Sequence, residues 1–149
     1  MKPSPMPRAV RRMIVPFAAL LVAACAGSGG PPAPLTGTVW NAMQAGGQDF
    51  VVLKGGRDAH LRLDAQKGRA TGYSGVNSFT GTYQSSGANL KFGPIAATRR
   101  AGPPAAMAFE SAFFKALAAT RSYRVSGDAL ELLDAEGEVR ARLEALPPL

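Results

Sequence analysis

The chain is poor in the residues that do chemistry. Of its 149 residues, one is cysteine and one is histidine. With Cys25 alone, an internal disulfide is excluded, so the fold must hold by packing. A metal centre built on His60 would need carboxylates at ligand spacing around it, and the sequence places none there. No Lys/Arg run exceeds Arg99-Arg100, which removes the clustered basic stripe of a nucleic-acid binder. Apolar runs are short as well. The longest, Met13 to Ala24, has twelve residues and contains Pro16, against the roughly 20 that a spanning helix needs. Gly72-Tyr73-Ser74-Gly75-Val76 carries Val76 where a nucleophile elbow has its second glycine. No phosphate-loop or dinucleotide fingerprint is present, and no cofactor is implied.

What is present begins with an address. Lys2, Arg8, Arg11 and Arg12 precede the apolar run, which ends in Leu21-Val22-Ala23-Ala24-Cys25. This is the layout of a secretory leader over 1–24, and its end resembles a bacterial lipobox, with Cys25 as the acylated new N-terminus. Ala24-Cys25-Ala26 is also a small-x-small site, so ordinary cleavage after Ala26 is the alternative. Residues 25–34 then form the anchor and a Gly/Pro tether. Acyl chains on Cys25 would attach the protein to a membrane. Ala26, in place of the Asp that retains lipoproteins at the inner membrane, directs the expectation to the outer membrane, facing the periplasm. The formal charge of +7 shrinks without the leader to 13 Lys and Arg against 10 Asp and Glu, a net +3.

The remainder, 35–146, reads as one domain of short strands with one helix. Strands are predicted over Thr38–Met43, Asp49–Leu53, His60–Leu63, Arg69–Tyr73, Phe79–Gln84, Asn89–Phe92, Ile95–Thr98, Ser122–Val125, Ala129–Leu133 and Val139–Leu143. Turns fall at Gly46-Gly47, Gly75 to Ser78, Ser85-Ser86-Gly87 and Ser126-Gly127-Asp128. Asn77 is the non-glycine residue best suited to a left-handed turn position bonded to its own backbone. The helix starts at Pro103 or Pro104 and stops by Thr120. Ala106, Phe109, Phe113 and Leu117 recur at helical spacing as its core face, and Trp40, Phe79 and Phe113 are predicted to share one core. Glu110 falls at the edge of the apolar arc. It reads either as a carboxylate paired with Arg99, Arg100 or a backbone donor, or as a catalytic acid. Asp58 with Asp64, and Asp134 with Glu136, read as solvated strand ends. His60 is predicted to face solvent.

The central stretch carries a resemblance. Gly75-Val76-Asn77, then Gly81 and Tyr83, resembles the signature of the META domain family, the HslJ-like bacterial lipoproteins. Leu35 to Trp40, Phe92 to Thr98, Met107 to Leu117 with Glu110, and Tyr123 to Leu133 follow in the order of that family's elements. The resemblance implies a mainly β (α+β) fold: a strongly curved, antiparallel, barrel-like sheet with one packed helix. It also implies a link to envelope or heat stress and to antibiotic tolerance. Members often carry cysteine at the positions of Val76 and Gly102. The resemblance therefore implies that these positions are neighbours in space. Two functional readings follow. One is a non-catalytic module that meets an envelope protein or a small hydrophobic ligand. The other is a small periplasmic enzyme using Glu110, Ser74 or His60.

Overall fold

The computed structural model describes residues 31–52 and 56–146; the leader, Cys25 and most of the tether lie outside the described residues. Among the described residues nine strands and one helix form: β1 (Val39–Ala45), β2 (Gln48–Asp49), β3 (His60–Asp64), β4 (Arg69–Tyr73), β5 (Ser78–Ser86), β6 (Asn89–Ala97), α1 (Pro104–Ala119), β7 (Ser122–Ser126), β8 (Ala129–Leu133) and β9 (Val139–Ala145).

Every pairing is antiparallel, and the order β1-β3-β4-β5-β6-β7-β8-β9 returns to β1 through Trp40↔Ala145 to Ala45↔Ala141. The hydrogen bonds thus run in a ring, which makes the sheet barrel-like and removes most exposed edges. The period-2 pattern explains the curl. Leu61, Leu63, Ala70, Phe79, Leu90, Leu130, Leu132 and Leu143 all point inward, and most of them alternate with outward polar residues. β2 lies outside the ring, on the same edge of β1 that β3 occupies further back along the strand.

The ring is thinnest between β6 and β7, where the ladder is the single pair Asn89↔Ser122. The helix connects these two strands. It leaves the end of β6 and finishes where β7 faces the start of β6, so it runs back along that strand. Sixteen residues rise about 24 Å, a length close to that of the nine-residue β6. It packs on β6, β9 and β1. Phe113 and Leu117 are fully buried, Phe109 and Ala106 nearly so. Phe113 meets Phe79 edge-on at 5.9 Å between centroids, and both share the core with Trp40. The helix has no side-chain N-cap, no acid in its first turn and no base in its last. Its stability therefore comes from the buried face.

Three sequence expectations need correction. The strand expected over Asp49–Leu53 is only Gln48–Asp49; the Phe50 amide still donates to Met43 O at 2.8 Å while its ring packs 4.9 Å from that of Phe109, and Leu53 lies outside the described residues. The two short strands either side of Gly93-Pro94 are one strand, β6. Its register with β5 jumps from Gly81↔Ile95 to Tyr83↔Phe92, so the proline, which has no N–H to give, sits in a bulge. Finally, no residue other than glycine has a positive φ among the described residues, so Asn77 does not take a left-handed position.

Candidate functional site

The β4–β5 turn gathers the polar residues that the sequence left without partners. Gly75 has φ +97°, and a Cβ there would stand 2.8 Å from the Phe50 ring. Conformation and space both demand glycine. The turn that follows buries Ser74 and Asn77 completely or almost so, at 0% and 2% exposure. Ser74 N–H donates to Asn77 O at 2.9 Å, and Asn77 N–H donates back to Ser74 Oγ at 3.1 Å. The Ser74 hydroxyl has two acceptors within reach, Asn77 O at 3.0 Å and Oε2 of the Glu110 carboxylate.

Asn77 links three segments. Its Nδ2 donates to the Glu110 carboxylate at 3.0 Å and to Arg100 O at 3.1 Å. Its Oδ1 accepts from Arg100 N–H at 2.7 Å and from Thr98 Oγ1 at 2.8 Å. The β4–β5 turn, the connection from β6 and the helix are therefore joined through one amide. Asn77 was expected to bond the backbone beside it; its side chain instead bonds a backbone 23 residues away. Glu110 was expected to meet Arg99, Arg100 or a backbone donor. Its partners are the side chains of Ser74 and Asn77, and both arginines are exposed.

Of the three residues of the enzyme reading, the fold brings Ser74 and Glu110 together and leaves His60 apart. His60 lies on the outward face of β3, as expected, and is half-buried there. Its Nδ1 lies 3.1 Å from Asp58 O and its ring 6.5 Å from that of Tyr73, whose hydroxyl donates to Gly75 O. The remaining signature residues have physical roles too. A Cβ on Gly81 would lie 2.6 Å from Ile95 Cδ1 and 2.9 Å from Pro94 O, so glycine lets β5 approach the β6 bulge. Tyr83 is in the core; burial, then the charge of Asp64, raises its phenol above the ordinary value.

Asp134 corrects another expectation. It is buried, not solvated: its Oδ1 accepts from the amides of Glu136 and Glu138 at 3.0 and 2.9 Å, and its Oδ2 from Arg140. Burial alone would raise its carboxyl. The Glu138 amide, the Arg140 guanidinium and the Glu136 amide outweigh it and hold the group below its usual value. Asp64 accepts from the amides of Gln66 and Lys67. Among the described residues no three of His, Cys, Asp and Glu converge as metal ligands.

The concavities are open grooves. One of about 500 Å³ lies between the outer face of the helix and the β1–β2 turn, lined by Gly46, Gln48, Ser111, Ala112, Lys115 and Arg140 among others. Another of about 480 Å³ follows the β5–β6 bulge to Ala118. Among the described residues, the large apolar side chains left exposed are Met43, Val51, Val52, Met107 and Leu146.

The profile of the META domain matches residues 33–146. No curated protein matches the chain. Among solved structures, an NMR structure of a protein from Burkholderia xenovorans is 23% identical, with a TM-score of 0.60 over 96% of this chain and 100% of the other. A second NMR structure is 16% identical, with a TM-score of 0.57 over 74% of this chain and 90% of the other. At these identities the likeness is one of fold.

Proposed function

From a chain that belongs to the META domain family, we propose a lipid-anchored lipoprotein of the bacterial envelope whose barrel acts by contact and not by catalysis. Its place is the periplasmic face of the outer membrane, held there by acyl chains on Cys25. Its role is in the response to envelope or heat stress and in antibiotic tolerance. It meets an envelope protein or a small hydrophobic ligand.

The observation that carries the non-catalytic part is the state of Ser74, Asn77 and Glu110. A nucleophile or general acid has to reach a substrate. Here the hydroxyl, the amide and the carboxylate are sealed under the β4–β5 turn, with exposures of 0%, 2% and 9%. Their hydrogen-bonding groups already serve one another and the Arg100 backbone. The cluster reads as a clasp. The support for the anchor is the lipobox-like Leu21 to Cys25 after a twelve-residue apolar run.

The test separates the two readings in cells. Ser74→Ala, checked for retained folding, leaves stress and antibiotic tolerance intact if the cluster is a clasp, whereas Cys25→Ser abolishes it. Loss of tolerance in a Ser74→Ala protein with near-normal melting behaviour would favour the enzyme reading.

A further inference from the structure

The groove between the helix and the β1–β2 turn has a floor of methyl groups. Ala108, Ala112, Ala116 and Ala119 succeed one another along it at helical spacing. Ala119 lies eleven residues beyond Ala108, which is ~16 Å of helix. The far side is the β1–β2 turn. Gly46 comes so close that a Cβ on it would stand 3.3 Å from that of Ala112, and its N–H donates to Arg140 O at 2.9 Å. The turn thereby sets the start of β9 beside the helix. At about 500 Å³ the space is of the size that small molecules occupy. It is open along one side, which suits a narrow chain lying flat.

Helix propensity alone would put alanines on an exposed face. The rim is what distinguishes the groove. Its charged groups are Lys115 and Arg140, and no carboxylate lines it. Lys115 takes no part in the ion pairs found among the described residues, and Ser111 stands one turn before it on the same face. Arg140 is held by Asp134, which accepts its Nε–H and is itself fixed by the amides of Glu136 and Glu138. The Nη groups of the guanidinium keep their donors for another partner. Asp134 balances the charge of Arg140. The net positive charge of the rim is therefore that of Lys115, and Arg140 supplies an oriented fork.

We propose that this groove binds a single-chain amphiphile with an anionic head, a carboxylate or a phosphate. The head meets Lys115, the Ser111 hydroxyl and the Arg140 fork, whose geometry matches paired acceptor oxygens. The alkyl chain lies over the alanine methyls, where no larger side chain stands in its way. The inference rests on the contact reading and deepens it, since it gives the small hydrophobic ligand a charge, a shape and a place. A second copy of this chain is a weaker match. A self-complementary contact would lay the same patch on both partners, setting Lys115 and Arg140 of each against like charges with no lining carboxylate between them.

The test uses the mature chain from residue 25 with Cys25→Ser, which contains the complete ring and core and no acyl chain of its own to compete. The melting transition of every variant is verified first. Decanoate, decyl phosphate, decanol and acetate are titrated below their aggregation limits, and calorimetry and backbone amide shifts are read. The expected result is saturable binding of the two anionic amphiphiles, with the largest shifts at Gly46, Ser111 and Lys115; the tighter of the two names the source of the head. Decanol and acetate each lack one half of the ligand and bind about tenfold more weakly or worse. Affinity falls about fivefold in Lys115→Gln, and further in Ser111→Glu, whose carboxylate neutralises Lys115 one turn on. Arg140→Lys keeps the charge beside Asp134 but loses the fork, and also weakens binding. Lys91→Gln, on β6 and outside the groove, leaves it unchanged. Absent binding, equal binding of decanol and decanoate, or indifference to both Lys115→Gln and Ser111→Glu overturns the proposal. So do concentration-dependent shifts at the same residues without ligand, which would assign the face to a second copy. Loss of tolerance in a folded Ser74→Ala protein that still binds decanoate would fail the contact reading alone. Absent decanoate binding with tolerance intact in Ser74→Ala would fail this inference alone.

Discussion

Val76 and Gly102 face each other across the β4–β5 turn and the approach to the helix. A Cβ built on Gly102 would stand 3.5 Å from Val76 Cβ, 3.0 Å from Cγ1 and 2.9 Å from Cγ2. The first distance lies in the range a disulfide requires between Cβ atoms, and it agrees with the neighbourhood implied by the cysteines that related domains carry at these positions. Val76 fills the space that a second side chain would occupy.

Two outcomes follow for this pair. Gly102→Ala alone should destabilise by about 1–3 kcal/mol, because its methyl overlaps the valine; in a Val76→Ala background the same change should be nearly neutral. Val76→Cys with Gly102→Cys should form a disulfide on secretion and add about 3–4 kcal/mol by the chain-entropy estimate, less any strain. Urea titrations with and without reductant measure both effects. Free thiols in the folded double variant would show that the two segments are further apart than described.

Asn77 should be among the most sensitive polar positions in the chain. Asn77→Ala removes donors and acceptors from Thr98, Arg100 and Glu110 at once and leaves a buried carboxylate short of partners, at a cost of about 3 kcal/mol or more. Ser74→Ala should cost about 1–3 kcal/mol. Because both residues serve Glu110, the double variant with Glu110→Gln should be non-additive in a thermodynamic cycle. Strict additivity would mean that the three side chains do not act as a unit.

Phe113→Ala should cost about 3–5 kcal/mol, since the ring is fully buried and meets both Phe79 and Phe109. Lys115→Ala on the exposed face of the same helix should stay within about 0.5 kcal/mol. Chemical denaturation of the two variants side by side checks the assignment of helix faces.

The sequence made visible what depends on local pattern. Alternation placed Leu61 and Leu63 inside, and β4 and β8 have the bounds read from the residues. The helix face followed from the spacing of Phe109, Phe113 and Leu117. Contacts made at long range were not legible. Nothing near Asn77 in sequence shows that its amide will meet Arg100 and Glu110, though a polar residue at the edge of an apolar arc marked Glu110 as needing a partner. β2 is shorter than the strand composition of Phe50-Val51-Val52 suggests, and the packing of the Phe50 ring onto Phe109 is a long-range contact with no local signal. Asp134 looked like a turn residue in solvent until the Glu136 and Glu138 amides and Arg140 closed over it.

Asp134 gives a pH prediction with a definite sign. Its native carboxyl titrates below its unfolded value, so its contribution is complete above the ordinary carboxylate range, about pH 4, and fades as pH falls through the lowered native value. Asp134→Asn should reduce the melting temperature near pH 7, and the difference from wild type should narrow as pH falls below about 4. A difference that stays constant down to the acid limit would show that the lost interaction is not ionic.

The reading of this chain as a membrane-anchored contact module is tested most directly by the intact mass of the mature protein extracted from cell membranes. The account predicts a chain that begins at Cys25 and carries diacylglyceryl and acyl mass, absent from the membrane fraction when Cys25→Ser is expressed. A soluble, unlipidated chain beginning at Gly27, the product of ordinary cleavage after Ala26, would contradict it.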